Sequence, residues 1–253
     1  MAKLTFVFLF CLFSKAIAAP LQFSNERGLL FATAEFKGVE YRIFTANPAQ
    51  MRLLWRDEAG KNYSKLRAAA AALSAKGENV LMLMNAGIYT QDYQPAGLWI
   101  EEGKTLRALN RSAGKGNFHI QPNGVLWFGG QSAGIMPIEQ WQKQPKKAAY
   151  AFQSGPMMII DGTINSRFIK DLSSPYKRNA ACINEAGELY FIISTAVRQD
   201  SEWPSFYRMS EAMLSFGCRQ ALYLDGSISH YYAIRQSNWF HWRPFVGMIA
   251  IVE

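Results

Sequence analysis

Four short, polar, mostly glycine-containing segments border apolar runs in this sequence: Asn85-Ala86-Gly87, Gln153-Ser154-Gly155-Pro156, Lys177-Arg178-Asn179 and Asp225-Gly226-Ser227-Ile228-Ser229-His230. A side chain at a strand end is held by a rigid element yet points into a loop-lined cleft, and neighbouring glycines let a substrate approach the backbone. Asp225 offers a carboxylate there, Arg178 a permanent cation, and Asn85, Gln153 and Ser227 neutral hydrogen-bonding groups. By spacing alone such segments read first as ordinary turns, and a lone arginine as a solvated strand-edge charge.

Other reactive groupings carry less. His119, His230 and His241 show no metal-ligand spacing with one another or with a cysteine, so no metal or other cofactor is expected. Ser229 and His230 are too close along one segment to face each other as a triad assembled across loops would, which disfavours serine-hydrolase chemistry. Cys182 and Cys218 have no histidine near them in sequence, which argues against a thiol nucleophile. They read either as a disulfide, permitted in an oxidising compartment, or as two buried thiols.

The elements that must position these groups are mainly strands joined by tight turns. Glu101-Glu102-Gly103-Lys104 separates Leu98-Trp99-Ile100 from Leu106, and Pro122-Asn123-Gly124 separates Phe118-His119-Ile120 from Val125-Leu126-Trp127-Phe128. Asp161-Gly162 ends the run from Met157 to Ile160, and Glu185-Ala186-Gly187 separates Ala180-Ala181-Cys182-Ile183 from the run starting at Leu189. Two segments instead have helical periodicity. Tyr63 to Lys76 is alanine-rich and stops at Gly77; Phe206, Met209, Met213 and Phe216 form a stripe that stops at Gly217 and reads as core packing against a sheet. Each helix precedes a compact strand, Val80 to Met84 and Ala221 to Leu224, and a last strand is expected from Val246 to Val252. Helices are too few for regular alternation, so the expected class is α+β: a mixed, mostly antiparallel sheet with hairpins and two main helices packed on it.

The order of the polar segments resembles that of the phosphodiester glycosidase family, including its smaller bacterial members. The matching blocks are Met84-Asn85-Ala86-Gly87-Ile88-Tyr89 with Pro95-Ala96-Gly97-Leu98, and Gly116-Asn117-Phe118 with Pro122-Asn123-Gly124-Val125. They continue with Gln153-Ser154-Gly155-Pro156-Met157, Arg178-Asn179-Ala180, and Gly217-Cys218 leading into Ala221-Leu222-Tyr223-Leu224-Asp225-Gly226-Ser227. The chain departs from the family pattern in two places. Many relatives have Asp-Gly-Gly-Gly-Ser-Ser where this one has the bulkier Asp225 to His230 loop, and close bacterial relatives tend to carry a histidine where this one has Asn165.

The resemblance implies cleavage between the anomeric carbon of a sugar and a phosphodiester. Such a reaction builds positive charge on the sugar ring, so a carboxylate should sit beside C1, while the phosphate departs as an anion and needs a cation more than a strong acid. On this basis Asp225 would face the anomeric carbon and Arg178 would hold the phosphate. Asn85 and Gln153 would bind sugar hydroxyls or phosphate oxygens, Ser227 and the neighbouring amides would help hold the anion, and Gly87, Gly155 and Gly226 would let the substrate approach. The alternative for Asp225 is structural, accepting hydrogen bonds from the turn that follows. Asp161, Asp171 and Asp200 are all available as a second carboxylate, and sequence does not choose among them. A reading from another class is a domain that binds envelope glycan without cutting it. Trp99, Trp127, Trp203, Trp239 and Trp242 could stack on sugars, although most such rings serve burial.

The N-terminus has the pattern of a signal peptide: Lys3, an apolar run from Leu4 to Phe13, and Ala16-Ile17-Ala18 as the cleavage site. The run is shorter than the roughly 20 residues that cross a bilayer, and Phe10 is too bulky for lipoprotein processing at Cys11. Export to the periplasm or beyond is therefore expected, with residues 19–253 as a single domain, since no linker, charge block or repeat divides them. The formal charge of +8 is scattered rather than clustered. With no helix-turn-helix pattern, that favours an anionic sugar-phosphate or glycan over nucleic acid. The segment from Trp239 to Pro244 is aromatic and basic enough for membrane contact, but the strand expected after it favours ordinary packing.

Overall fold

A computed structural model describes residues 21–170, 172–234 and 241–253. The expected leader, Asp171 and Trp239 lie outside the described residues. The α+β class holds, with every strand pairing among the described residues antiparallel. The strands fall into sheets of eight, five and four strands.

Each expected turn but one joins a hairpin. Trp99–Glu101 pairs with Lys104–Arg107, Met157–Ile160 with Thr163–Ile164, and Asn179–Asn184 with Leu189–Val197. The exception is Phe118-His119-Ile120. Asn117–His119 is a 3-10 turn, entered from Gly116 at φ +88° and anchored by the buried ring of Phe118. Gly124–Gly129 pairs instead with Ser132–Pro137 and Tyr150–Ser154. Three alternating residues are too few to tell a strand from a turn.

Both expected helices form, as Leu66–Ala75 and Phe206–Ser215, and a short third one, Ile138–Lys143, covers the five-stranded sheet. The first buries Leu66, Ala69 and Leu73 against the four-stranded sheet. The Phe206–Ser215 helix starts where Ser205 accepts the Arg208 N–H, and its Met209, Ala212 and Met213 pack on the eight-stranded sheet. Burying a methionine-sized side chain contributes about 1.5–3 kcal/mol, so this stripe fastens the helix over the Cys218–Tyr223 strand.

One core draws on all three sheets. Phe44 and Phe191 come from the eight-stranded sheet, Phe128 and Phe152 from the five-stranded, and Met82, Met84 and Ile249 from the four-stranded. Val80–Asn85 is buried along its whole length between Tyr231–Ala233 and Met248–Val252. Its last residue, Asn85, therefore emerges where the three sheets meet. Cys182 and Cys218, on neighbouring strands of the eight-stranded sheet, are joined by a disulfide with Cα atoms 5.7 Å apart.

Candidate active site

The strands Val80–Asn85 and Cys218–Tyr223 end, and Asn179–Asn184 begins, at one seam, tied together by buried asparagines. Asn179 Nδ2 donates to the Asn85 carbonyl and to Asn85 Oδ1, both at 3.1 Å. Asn179 Oδ1 accepts from the Asp225 amide at 3.0 Å and the Ser229 hydroxyl at 3.1 Å. Asn85 Oδ1 also accepts the His230 amide at 3.0 Å. Ser154, at the end of the Tyr150–Ser154 strand, adds the third sheet: its hydroxyl donates to the Leu224 carbonyl at 3.1 Å and accepts the Ile88 amide. A buried polar group left unpaired costs about 1–3 kcal/mol, so this network fixes the Asp225 backbone firmly.

Asp225 stands just beyond its strand. Its carboxylate accepts hydrogen bonds from the amides of Gly226 and Ser227 and feels the nearby Arg243 cation. All three favour the charged form, yet loss of solvent outweighs them and raises the carboxyl from 3.8 to about 7. The amides expected to hold a substrate anion thus serve Asp225 itself, while Ser227 is exposed. The Ser229 hydroxyl reaches Asn179 and the Asp225 carbonyl, the latter at 2.5 Å.

Arg178 lies against Gly226. Its Nε donates to the Pro204 carbonyl at 2.7 Å, Nη2 to Ser174 Oγ at 3.0 Å and Nη1 to Tyr223 Oη at 3.3 Å. The guanidinium rests 4.1 Å from the Phe206 ring centre. Three of its five N–H donors are thus matched among the described residues. It is only 9% exposed. The ion pairs within 4 Å among the described residues, Lys37–Glu211, Arg52–Glu78, Arg198–Glu35 and Arg219–Glu185, do not include it. A buried cation of this kind is stabilised by a ligand anion. The Tyr223 hydroxyl feels both Arg178 and Asp225 and is also hydrogen-bonded to Asn117; burial raises its pKa. Gly226 is required by space, since a Cβ there would lie 2.1 Å from Tyr223 Oη and 3.2 Å from Arg178 Nη1.

Gln153 is buried and fully used. Its Oε1 accepts the amides of Leu98 at 3.2 Å and Asn110 at 2.9 Å, and its Nε2 donates to the Asn110 carbonyl at 2.7 Å and Asn123 Oδ1 at 3.0 Å. Gly155 packs on Asn123, with no room for a Cβ, and Gly87 packs against Ser154. Asn165 ties the Met157 and Gln121 carbonyls together.

The structure thus gathers Asp225, Arg178, Asn85, Gly87, Gly226 and Ser227 around one seam, with Gln153 and Gly155 bracing the loops behind it. Asp161 is not there: it bonds Gln220, at the opposite end of the Cys218–Tyr223 strand. Asp200 lines a separate cavity with Lys37, Lys170 and Tyr207. Trp99 is core, and Trp242 is 85% exposed. The largest cavity described, about 710 Å³ between Leu98, Ile100, Trp141 and Lys146, includes none of the residues at the seam; a smaller one of about 190 Å³ opens beside Ser229 and His230. Sequence reasoning missed Asn179, Tyr223, Asn117 and Arg243 as members of the site, although the first three lie within the quoted blocks.

Comparison with known proteins bears on the family and the fold. The chain is 36% identical over 212 residues to the uncharacterized protein YigE of Escherichia coli (strain K12), covering 83% of this chain and 81% of that protein. Its fold matches the catalytic domain of zebrafish N-acetylglucosamine-1-phosphodiester alpha-N-acetylglucosaminidase, auto-inhibited by its pro-peptide, with a TM-score of 0.60 at 16% identity, over 93% of this chain and 87% of that one. A hypothetical protein from Synechocystis matches with a TM-score of 0.59 at 12% identity, over 93% of this chain and 64% of that one. The family model described as phosphodiester glycosidase matches residues 78–249, which span the whole seam. The chain belongs to the phosphodiester glycosidase family.

Proposed function

We propose that this protein is an exported hydrolase that cleaves the bond between a sugar anomeric carbon and a phosphodiester on envelope or extracellular glycoconjugates. The observation that carries the reading is the buried Arg178, matched to no carboxylate among the described residues and packed against Gly226, the residue that follows Asp225. A phosphate seated between them would meet the remaining guanidinium N–H groups on one side and place its sugar ester towards the carboxylate on the other. The sugar–oxygen bond then breaks with its electron pair leaving on the phosphate, Asp225 stabilises the positive charge on the ring, and water adds at C1 and gives up a proton to yield the free sugar. Arg178 favours departure without a strong general acid. Asn85 and Asn179 position the strand ends, and Gln153 positions the Asn110 loop instead of touching the sugar. The signal-peptide pattern supports export, and the core that the three sheets share among the described residues supports a single domain.

The deciding assay is release of free sugar from a panel of sugar 1-phosphodiesters, nucleotide sugars included, by the purified mature protein beside Asp225→Asn. Release by the wild type and not by the variant supports the assignment. Full turnover by a folded Asp225→Asn would remove Asp225 from the mechanism, and no release from any substrate by a folded wild type would favour glycan binding without cleavage.

A further inference from the structure

We infer that Tyr89 and Tyr93 form an aromatic wall beside Asp225 that packs against the apolar face of a hexopyranose ring. The inference rests on reading the seam as a sugar-phosphodiester site, and it names residues that would hold the sugar ring there. Ser154 Oγ accepts the Ile88 amide at 3.4 Å and donates to the Leu224 carbonyl at 3.1 Å, so the backbones of Ile88-Tyr89 and Leu224-Asp225 run beside each other. Tyr89 is half-buried, its ring set against the core. The Tyr93 ring stacks on it with centroids 6.0 Å apart and planes 18° from parallel.

Core burial does not explain Tyr93, which is 47% exposed. Its backbone is left-handed, at φ +53°, a conformation that costs a non-glycine residue on the order of 1 kcal/mol. The loop nonetheless holds this geometry by several bonds. Tyr93 donates its amide to the Thr90 carbonyl at 3.0 Å, Thr90 donates its own to the Gln94 carbonyl at 2.8 Å, and Asn62 Nδ2 caps the Tyr93 carbonyl at 2.8 Å. Arg107 bonds the Gln94 side chain. A ring held rigid, stacked and partly open to solvent loses little entropy when it covers the axial C–H face of a pyranose. A furanose offers a smaller, puckered face and should gain less.

The test uses the mature chain and calorimetric binding of hexose 1-phosphates (glucose, galactose, mannose and their N-acetyl forms), with ribose 1-phosphate and inorganic phosphate as controls. Tyr93→Ala is expected to weaken the best hexose 1-phosphate about tenfold while leaving inorganic phosphate unchanged. Tyr93→Trp and Tyr89→Phe, which keep a ring, should stay within about threefold of wild type. Unchanged hexose binding by folded Tyr93→Ala overturns the wall and leaves the hydrolase reading standing. Tyr93-dependent binding by a wild type that hydrolyses no phosphodiester keeps the wall and overturns the hydrolase. A wild type that binds no hexose 1-phosphate overturns the wall outright.

Discussion

Asn179 holds Asp225 by its backbone: Oδ1 accepts the Asp225 amide at 3.0 Å, while the carboxylate bonds the amides of the turn that follows. Asn179 is therefore a positioning residue. Asn179→Ala leaves the Asp225 amide and Asn85 Oδ1 short of a partner and should lower stability by about 2–4 kcal/mol. Denaturant unfolding measures that loss. Under the proposed function, kcat should fall more than KM rises, since the phosphate-binding arginine keeps its own contacts.

The Asp225 carboxyl, raised from 3.8 to about 7, makes a prediction of defined sign. Between about pH 4 and 7 the folded chain holds a proton that the unfolded chain has released, so stability falls as pH rises through that window and levels off above it. Asp225→Asn lacks this titration. The variant should be more stable than wild type by a few kcal/mol at pH 8, with the difference closing near pH 4. Chemical denaturation at three pH values tests it. If the ionised carboxylate acts on the sugar, wild-type kcat/KM rises with pH through about 7, and a fall there would make Asp225 an acid.

For Arg178 the expected outcome depends on its fork. Nε, Nη1 and Nη2 each hold a different protein partner, and a lysine ammonium has no such planar spread. Arg178→Lys should cost roughly 2–5 kcal/mol of stability and, where the protein stays folded, at least about tenfold in phosphodiester kcat/KM. Thermal melting separates the two effects. Wild-type kcat/KM in Arg178→Lys would remove the arginine from phosphate recognition.

Gln153 distinguishes bracing from substrate contact. Because its amide already has four protein partners, Gln153→Leu should destabilise by about 2–4 kcal/mol through unpaired backbone groups at Leu98 and Asn110. At temperatures where the variant is folded, KM should stay within about twofold of wild type. A large KM rise with unchanged stability would return Gln153 to the substrate.

What the sequence conveys here is local. Asp161-Gly162 and Glu185-Ala186-Gly187 mark hairpins because glycine takes the positive φ that each turn needs, +76° at Gly162 and +82° at Gly187. The methionine stripe marks a helix because its period is helical. Asp225 and Arg178 stand out because the block order is that of a known family. Asn179 does not stand out, since its four bonds depend on partners 46 to 94 residues away and an asparagine beside an arginine gives no hint of them. Gln153 misleads for the same reason: an amide in a glycine-rich segment suggests a ligand contact until Leu98, Asn110 and Asn123 are seen to surround it. Tyr223 looks like one more apolar strand residue, although its hydroxyl feels both charges of the site.

The Asn85–His230 hydrogen bond joins residues 145 positions apart, and Asn85 and Asn179 are separated by 94. Contacts of such range form late, because the intervening chain must be ordered before they repay its entropy. A partly folded chain can have any one of its three sheets and still lack the seam on which they converge. Under the proposed function, hydrolytic competence would then appear only at the last stage of folding, and a chain caught midway would carry no working blade.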